Sequence, residues 1–585
     1  MKLIFKKFLL IAGGLIVFWL LGGIIFVLFS INSKLDNTQF DIENRIAIAV
    51  KGTEIYADGV LYCSLNINYT DEEIYSERLI SAFTNNHKIN LHSHILLYLN
   101  FFNSDYVGAT HSERLAKQLF PEASGNNLIL IALELENLFL DGIYNVYCNS
   151  ISFGSGVYGL EAAARYYFGK TAEELTDSDI IRLKNPNNLS GNPHVMLDNH
   201  GAFIDGLRQQ LSQLLTYEQI YNGGYKVYST LDIDVQNALD RTIVNETVPD
   251  FFQIGMIICD YNGNIVGAAG GATPSNGNSL NILNRATGPL SIGSTIKPIS
   301  VYTLGINNNE ITYSDLLQDI PLFGEWPQNY NRLNEGYITV AYAIRQSKNT
   351  TAVRLVEVLG LNSLSTLLRE DFRFASLSKD DDSLQGIALG YLKGGVSLEE
   401  LALAYQIFGN GGLYYEGSYF TKVVAFDGTV IFNSPNVVIP IVDSQTAGIL
   451  NRLLRSNVIL PDGMGINADM YGIEVIGKTG TTDNSHGINV NTLFVGATPS
   501  YIGAVWVGSD NQGVNRINGA FPQTTEVWRR VMERISHEKI TFDIDRTLII
   551  AEFCVVTGFI SNSCDNIEQG WYKPDNLPKA CTCTR

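Results

Sequence analysis

The chain has 585 residues, is 45% hydrophobic and 17% charged, and carries a formal net charge of -19. That balance is globular rather than disordered, and the length is ample for several domains. The acidity excludes nucleic acid as the main partner, because a phosphate backbone calls for a basic surface.

Residues 1–7 carry Lys2, Lys6 and Lys7, and residues 8–31 follow without a single charge. That run is long enough for a helix to span a hydrocarbon core. The flanking lysines keep the N-terminus cytoplasmic by the positive-inside rule. Phe29-Ser30-Ile31-Asn32-Ser33 offers no small-x-small cleavage site, so a signal anchor is expected rather than a cleaved leader. The remainder is then one large extracytoplasmic portion.

From 46 to 215 the pattern is mainly helical. Residues 112–120 and 128–139 carry apolar residues at i, i+3 and i+4. Glu161-Ala162-Ala163-Ala164 favours helix. Gly154, Gly156 and Gly159 imply close backbone packing or a ligand approach. Residues 216–245 read as a connector, β-like at 224–231 and helical near 235–239. From 246 to 540 strand and helix signals mix. A hairpin is expected around Asn262-Gly263, joining 254–259 to 264–268. Helices are expected at 294–305, 340–358 and 398–409, and strands at 471–476, 492–497 and 502–508. This order predicts an α+β domain with an antiparallel sheet. The tail, 541–585, holds Cys554, Cys564, Cys581 and Cys583. An oxidising compartment permits disulfides there. A zinc ribbon would favour tighter Cys-x2-Cys pairs, and the pairing stays open. Cys63 and Cys148 are expected to be free, paired or, above all, buried.

Three motifs carry chemistry. Ser294-Thr295-Ile296-Lys297 sets a hydroxyl and an amine at i and i+3, on one helix face. A serine is a poor nucleophile until a base takes its proton. Lys297 serves only when neutral, which demands burial or neighbouring positive charge. Gly293 allows a tight entry, Pro298 is tolerated in a first turn, and Ser294 then sits at the positive helix end. Ser347-Lys348-Asn349 follows the apolar run 338–344. The Ser347 hydroxyl is suited to relaying a proton between lysines and leaving group, and Asn349 to donating to a substrate amide. Lys478-Thr479-Gly480 occurs once in the chain and continues the alternation of Tyr471, Ile473 and Val475. Gly480 leaves room for a peptide to pair along the strand. Lys478, Thr479 and Thr481 suit a substrate carboxylate, and the amides of Ser294 and Thr481 suit an oxyanion hole. A second Ser-x-x-Lys, Ser376 to Lys379, lies in a polar segment and reads as chance.

With these motifs the chain resembles a class A penicillin-binding protein. Asn284-Arg285-Ala286, Ile387-Ala388-Leu389-Gly390, Asn410-Gly411-Gly412 and Val505-Trp506-Val507-Gly508 also match that family. The resemblance implies a multidomain chain whose 246–540 is a transpeptidase domain of serine β-lactamase-like fold. It implies catalytic roles for Ser294, Lys297, Ser347, Asn349 and Lys478, and substrate binding by Thr479, Gly480 and Thr481. The implied reaction is D-Ala-D-Ala transpeptidation of peptidoglycan stem peptides through an acyl-serine, with covalent capture of β-lactams. No metal or cofactor is expected for it.

Residues 46–215 resemble the family 51 glycosyltransferase domain, a mainly α, lysozyme-like fold that polymerises lipid II. Gly154-Ser155-Gly156 to Ala164 and Tyr167-Phe168-Gly169-Lys170 carry that resemblance. The family's catalytic Glu-Asp pair corresponds to Asn85-Asn86. An amide does not accept a proton as a general base at neutral pH. Glu134 or Glu136 keeps the place of a second functional glutamate, and His87 or His92 is the nearest substitute base. A degenerate glycosyltransferase is therefore expected, with a divalent metal only if that domain is active. The expected partners are stem peptides, β-lactams, the membrane through 8–31, lipid II and other cell-wall synthesis proteins. The competing readings are a DD-carboxypeptidase, an active bifunctional synthase, and a non-catalytic muropeptide- or β-lactam-binding scaffold.

Overall fold

The computed structural model describes residues 53–64, 76, 78–80, 116–117, 128, 131–132, 148, 160–168, 170–184, 201–216, 219–220, 223–246, 252–271, 284–425, 427–434, 437–483, 489–509, 523–537, 540–561 and 563–581. The anchor segment 8–31 and Asn85, Asn86, His87, His92, Glu134 and Glu136 lie outside the described residues. Among those described, no single helix is long and apolar enough to cross a membrane.

The described chain opens with a hairpin, β1 (Glu54–Ala57) and β2 (Val60–Ser64), where the sequence reading placed mainly helix. Asp58 and Gly59 turn it, both at positive φ, as a primed two-residue turn requires. Ile55 and Ala57 point inward at period two and are fully buried. Three helices follow, α1 (Leu160–Phe168), α2 (Asp177–Leu183) and α3 (Gly201–Leu211). A capping box of Thr176 and Asp179 starts α2. The Cys148 side chain is fully buried, as expected. The connector folds as β3 (Lys226–Ser229) and α4 (Ile233–Val244), with Asp232 capping the helix through the Val235 amide.

The hairpin expected around Asn262-Gly263 forms as β4 (Gln253–Cys259) and β5 (Ile265–Ala269). After the turn that carries Ser294 come α5 (Thr303–Asn307) and the small pair β6 (Leu316–Asp319) and β7 (Gly336–Thr339). The helix expected over 340–358 is two helices, α6 (Val340–Arg345) and α7 (Asn349–Leu359), broken at Ser347. Next come α8 (Leu384–Leu389) and α9 (Leu398–Tyr405). The strands β8 (Leu413–Tyr415), β9 (Phe420–Val424), β10 (Val430–Asn433) and β11 (Val438–Pro440) follow. β9 and β10 join β3, β1 and β2 in one sheet of order β10-β9-β3-β1-β2. The first described residues and the connector are therefore hydrogen-bonded into one sheet with an excursion of the later part.

α10 (Ser444–Ile459) leads to β12 (Ile476–Asp483), β13 (Asn489–Ala497) and β14 (Ile502–Gly508). The central antiparallel sheet has the order β12-β13-β14-β4-β5. The motif strand starts at Ile476, later than the expected 471–476. Gly472, at φ +77, turns the chain before it, and Tyr471 is fully exposed. Alternating residues serve two cores. Ile254, Met256, Phe494 and Val505 meet α4 and α11 (Thr524–Ile535), with Trp528 at the centre. Ile257, Leu493, Val495 and Trp506 face the other way, toward α9. Helices on both faces explain why β14 is buried along its whole length. The tail adds a two-stranded hairpin, β15 (Ile549–Cys554) and β16 (Ile567–Tyr572).

Candidate active site

Ser294 lies in a 3-10 turn, Gly293–Thr295, that runs through Lys297 into a wide π turn, Pro298–Tyr302. Residues i and i+3 eclipse in such a turn, which puts Ser294 and Lys297 on one face. Three glycines let three backbones meet around it. Gly293 has φ +55, and a Cβ there would lie 2.6 Å from the Thr481 carbonyl and 3.0 Å from the Thr481 nitrogen. A Cβ on Gly480 would lie 2.6 Å from the Ile292 carbonyl. Gly390, which ends α8 at φ +75, would put a Cβ 2.1 Å from the Gly293 carbonyl. The Gly293 amide and the Ser291 hydroxyl both donate to the Gly390 carbonyl, at 3.2 and 2.7 Å. The space at Gly480, which the sequence reading reserved for an incoming peptide, is thus used by the nucleophile turn. β12 is nonetheless an edge strand, and Thr481 on it is exposed, so an extended peptide has a strand to pair with.

The structure brings all three motifs together. Lys297 and Lys478 are both fully buried, and Ser294 is half-buried. Lys297 Nζ donates to the Ser347 carbonyl at 2.7 Å and to Asn349 Oδ1 at 2.6 Å. Lys478 Nζ donates to Ser347 Oγ at 2.8 Å and to the Thr479 carbonyl at 3.1 Å. Ser347 therefore holds one lysine with its backbone and the other with its hydroxyl. It does so from φ +53, a left-handed conformation that costs an ordinary residue about 1–2 kcal/mol. Asn349, assigned above to a substrate amide, has its carbonyl on Lys297 and its amide on the Gln328 carbonyl at 2.8 Å. Its described task is to hold the base.

Burial drives the electrostatics. It pulls Lys478 down to about 7. Burial, and then the charge of Lys478, push Lys297 well below the ordinary lysine range. A neutral amine at neutral pH is the form a general base needs.

Beneath Ser347 and Asn349 lies a polar network that the motifs did not announce. Lys348 is buried and donates to Asp319 at 3.0 Å and Glu335 at 2.5 Å. Asp319 is fully buried and also accepts from the Thr350 hydroxyl, Asn329 Nδ2 at 2.6 Å and the Glu335 amide at 2.9 Å. Burial alone would raise the Asp319 carboxyl, but these donors hold it below its ordinary value. Asn329 Oδ1 accepts the Asn349 amide at 2.8 Å and so fixes the start of α7. The one signal in the sequence was Lys348 itself, a charge inside the Ser-x-Asn motif; its partners are distant in the chain.

The fold and site define a transpeptidase-type domain of the penicillin-binding kind. Residues 255–533 match the penicillin binding protein transpeptidase domain, and residues 108–200 match a transglycosylase. The penicillin-binding protein 1A of Clostridium botulinum is 27% identical over 490 residues, 69% of this chain and 58% of that protein. Penicillin-binding protein 1F of Bacillus subtilis is 26% identical over 470 residues, 70% of this chain and 64% of its own length. The chain thus matches less than two thirds of the length of these relatives. In fold it is similar to penicillin-binding protein 1A of Haemophilus influenzae, at a TM-score of 0.59 and 16% identity, covering 91% of this chain and 99% of that one. PonA1 of Mycobacterium tuberculosis in complex with penicillin V gives a TM-score of 0.51 at 21% identity, covering 58% of this chain and 94% of that one. The chain belongs to the class A penicillin-binding proteins.

Two outcomes test this geometry. Asp319→Ala removes the fully buried one of the two carboxylates on Lys348 and takes the acceptor from Thr350 and Asn329; it is expected to cost about 3–5 kcal/mol in denaturant unfolding. A wild-type midpoint would refute the network. The second-order rate of β-lactam capture should be bell-shaped in pH, because Lys297 must be neutral and Lys478 charged. The acid limb is the protonation of Lys297 as pH falls through its depressed pKa. The alkaline limb is the loss of the Lys478 proton near about 7. In Lys478→Met the acid limb moves to higher pH, since the charge depressing Lys297 is gone; an unmoved limb would assign it to another group.

Proposed function

We propose that the chain is a membrane-anchored peptidoglycan DD-transpeptidase that captures β-lactams as dead-end acyl donors. The observation that carries this is the Ser347 bridge, which ties together two buried amines, one of them on the residue three positions after Ser294. Lys297 takes the Ser294 proton as the hydroxyl attacks the carbonyl of the penultimate D-alanine. Negative charge then develops on that carbonyl oxygen, beside the amides of Ser294 and Thr481. The Lys478–Ser347 pair delivers a proton to the departing D-alanine amine. The acyl-serine is released to a stem-peptide amine in cross-linking, or to water in the carboxypeptidase reading. Lys478, Thr479 and Thr481 receive the terminal carboxylate. The transpeptidase match and the penicillin V complex of a fold relative support this reading.

The N-terminal half is proposed to be a degenerate glycosyltransferase that retains a lipid II- or partner-binding role. The transglycosylase match begins at residue 108, downstream of Asn85 and Asn86. Neither asparagine supplies the carboxylate that glycan polymerisation requires of a base.

Fluorescent penicillin should label the purified chain covalently and leave Ser294→Ala dark. Labelling that persists in Ser294→Ala moves the nucleophile elsewhere, and an unlabelled wild type removes the acyl-serine reading. Purified lipid II, with a β-lactam present to silence the transpeptidase, should yield no glycan chains. Robust polymerisation under those conditions would restore the bifunctional reading.

A further inference from the structure

The tail carries a cluster that the acyl-serine chemistry does not use. Cys554 ends β15, Cys564 lies in the loop before β16, and Cys581 lies beyond β16. Their sulfurs are all within 4.8 Å of one another, and those of Cys564 and Cys581 are 3.5 Å apart. Sulfurs on a tetrahedral zinc, at about 2.3 Å from the metal, stand about 3.8 Å apart. One disulfide, with its two sulfurs about 2 Å apart, does not by itself account for three sulfurs drawn together.

The backbone around the cluster is built like a ligand turn. The Gly558 amide closes back on the Cys554 carbonyl at 2.8 Å, with Gly558 at φ +73. The Cys554 amide bonds the Phe559 carbonyl at 2.9 Å, and the Cys581 amide bonds the Ile560 carbonyl at 2.7 Å. Three separate segments are thus held in register by main-chain bonds. The Ser561 hydroxyl donates to the Cys564 sulfur at 3.1 Å, and the Thr557 hydroxyl lies 3.4 Å from the Cys581 sulfur. Such donors stabilise a thiolate and orient it toward a metal.

We propose that Cys554, Cys564 and Cys581 bind a structural zinc ion as thiolates, each thiol releasing its proton to solvent as the metal–sulfur bond forms. Zinc takes four ligands in structural sites. Three of them come from this cluster. This departs from the expectation that the chain binds no metal.

The site has a mechanical purpose. A two-stranded hairpin is marginal by itself, yet this one supports the catalytic domain. Glu568 on β16 holds the buried Arg345 with two hydrogen bonds, at 2.9 and 3.1 Å, and Arg345 ends α6 two residues before Ser347. Tyr572 donates to Ser314 at 2.9 Å, and Lys573 pairs with Asp443 at 2.9 Å. Phe553, Trp571 and Tyr572 surround Tyr313. A metal at the hairpin's outer end locks that platform.

The full chain, purified in detergent under reducing conditions without chelator, should contain stoichiometric zinc. Cobalt exchanged into it should give thiolate-to-metal charge-transfer absorption. Cys564→Ser and Cys581→Ser should each lose the metal while fluorescent penicillin still reports a folded transpeptidase domain. Chelation of the wild type should speed amide exchange across 549–572. Zinc retained by both variants would overturn the site. So would a reduced wild type that takes up neither zinc nor cobalt. A disulfide between any two of these cysteines, mapped in protein isolated without reductant, would also overturn it.

Discussion

Everything at the centre of this molecule depends on keeping two lysine side chains out of water a short distance apart. Burying an ammonium is expensive, and the cheaper solution is to lose a proton. Lys297 and Lys478 are both fully buried, and each depends on Ser347 for a hydrogen bond. The surrounding structure reads as support for that arrangement. The broken helix makes the left-handed serine possible, and the Asp319–Lys348 network holds the break in place.

The same constraint explains the glycines. A nucleophile turn wedged between a strand and the end of a helix has no space for side chains at the contact points. At Gly293, Gly390 and Gly480 a Cβ would strike the backbone of a neighbouring segment. Their close approach sets the Thr481 amide against Gly293, the residue before Ser294, which a looser contact would not achieve. Rigidity of this kind suits transition-state stabilisation, because donors already in position need no reorganisation during the reaction.

The sheet and the tail reach the site indirectly. The central sheet fixes Lys478 through its register with β13, where Val495 stands opposite the lysine and Leu493 opposite Gly480. The tail hairpin reaches the opposite wall through Arg345 and Glu568. The catalytic residues thus belong to a turn, a helix break and a strand, each braced by a different part of the chain.

Local order was legible in the sequence wherever one segment carries its own signal. The Asn262-Gly263 hairpin, the helix near 235–239 and the strand at 502–508 follow from turn chemistry and periodicity. The three motifs were legible too, since Ser294, Lys297, Ser347, Asn349 and Lys478 sit in short, ordered patterns. The start of β12 was misplaced because Tyr471, Ile473 and Val475 alternate like a strand while Gly472 turns the chain. The first hairpin was missed although Asp58-Gly59 carries its turn signal locally; only its pairing with β3, far along the sequence, was beyond local reading. Asp319, Asn329, Glu335 and the three-thiol cluster have no local pattern at all. Residue types and spacing decide helices, turns and which side chains are chemically able. Only the tertiary fold decides which of them share a water-free volume, and that sharing makes a lysine a base and draws distant cysteines into one cluster.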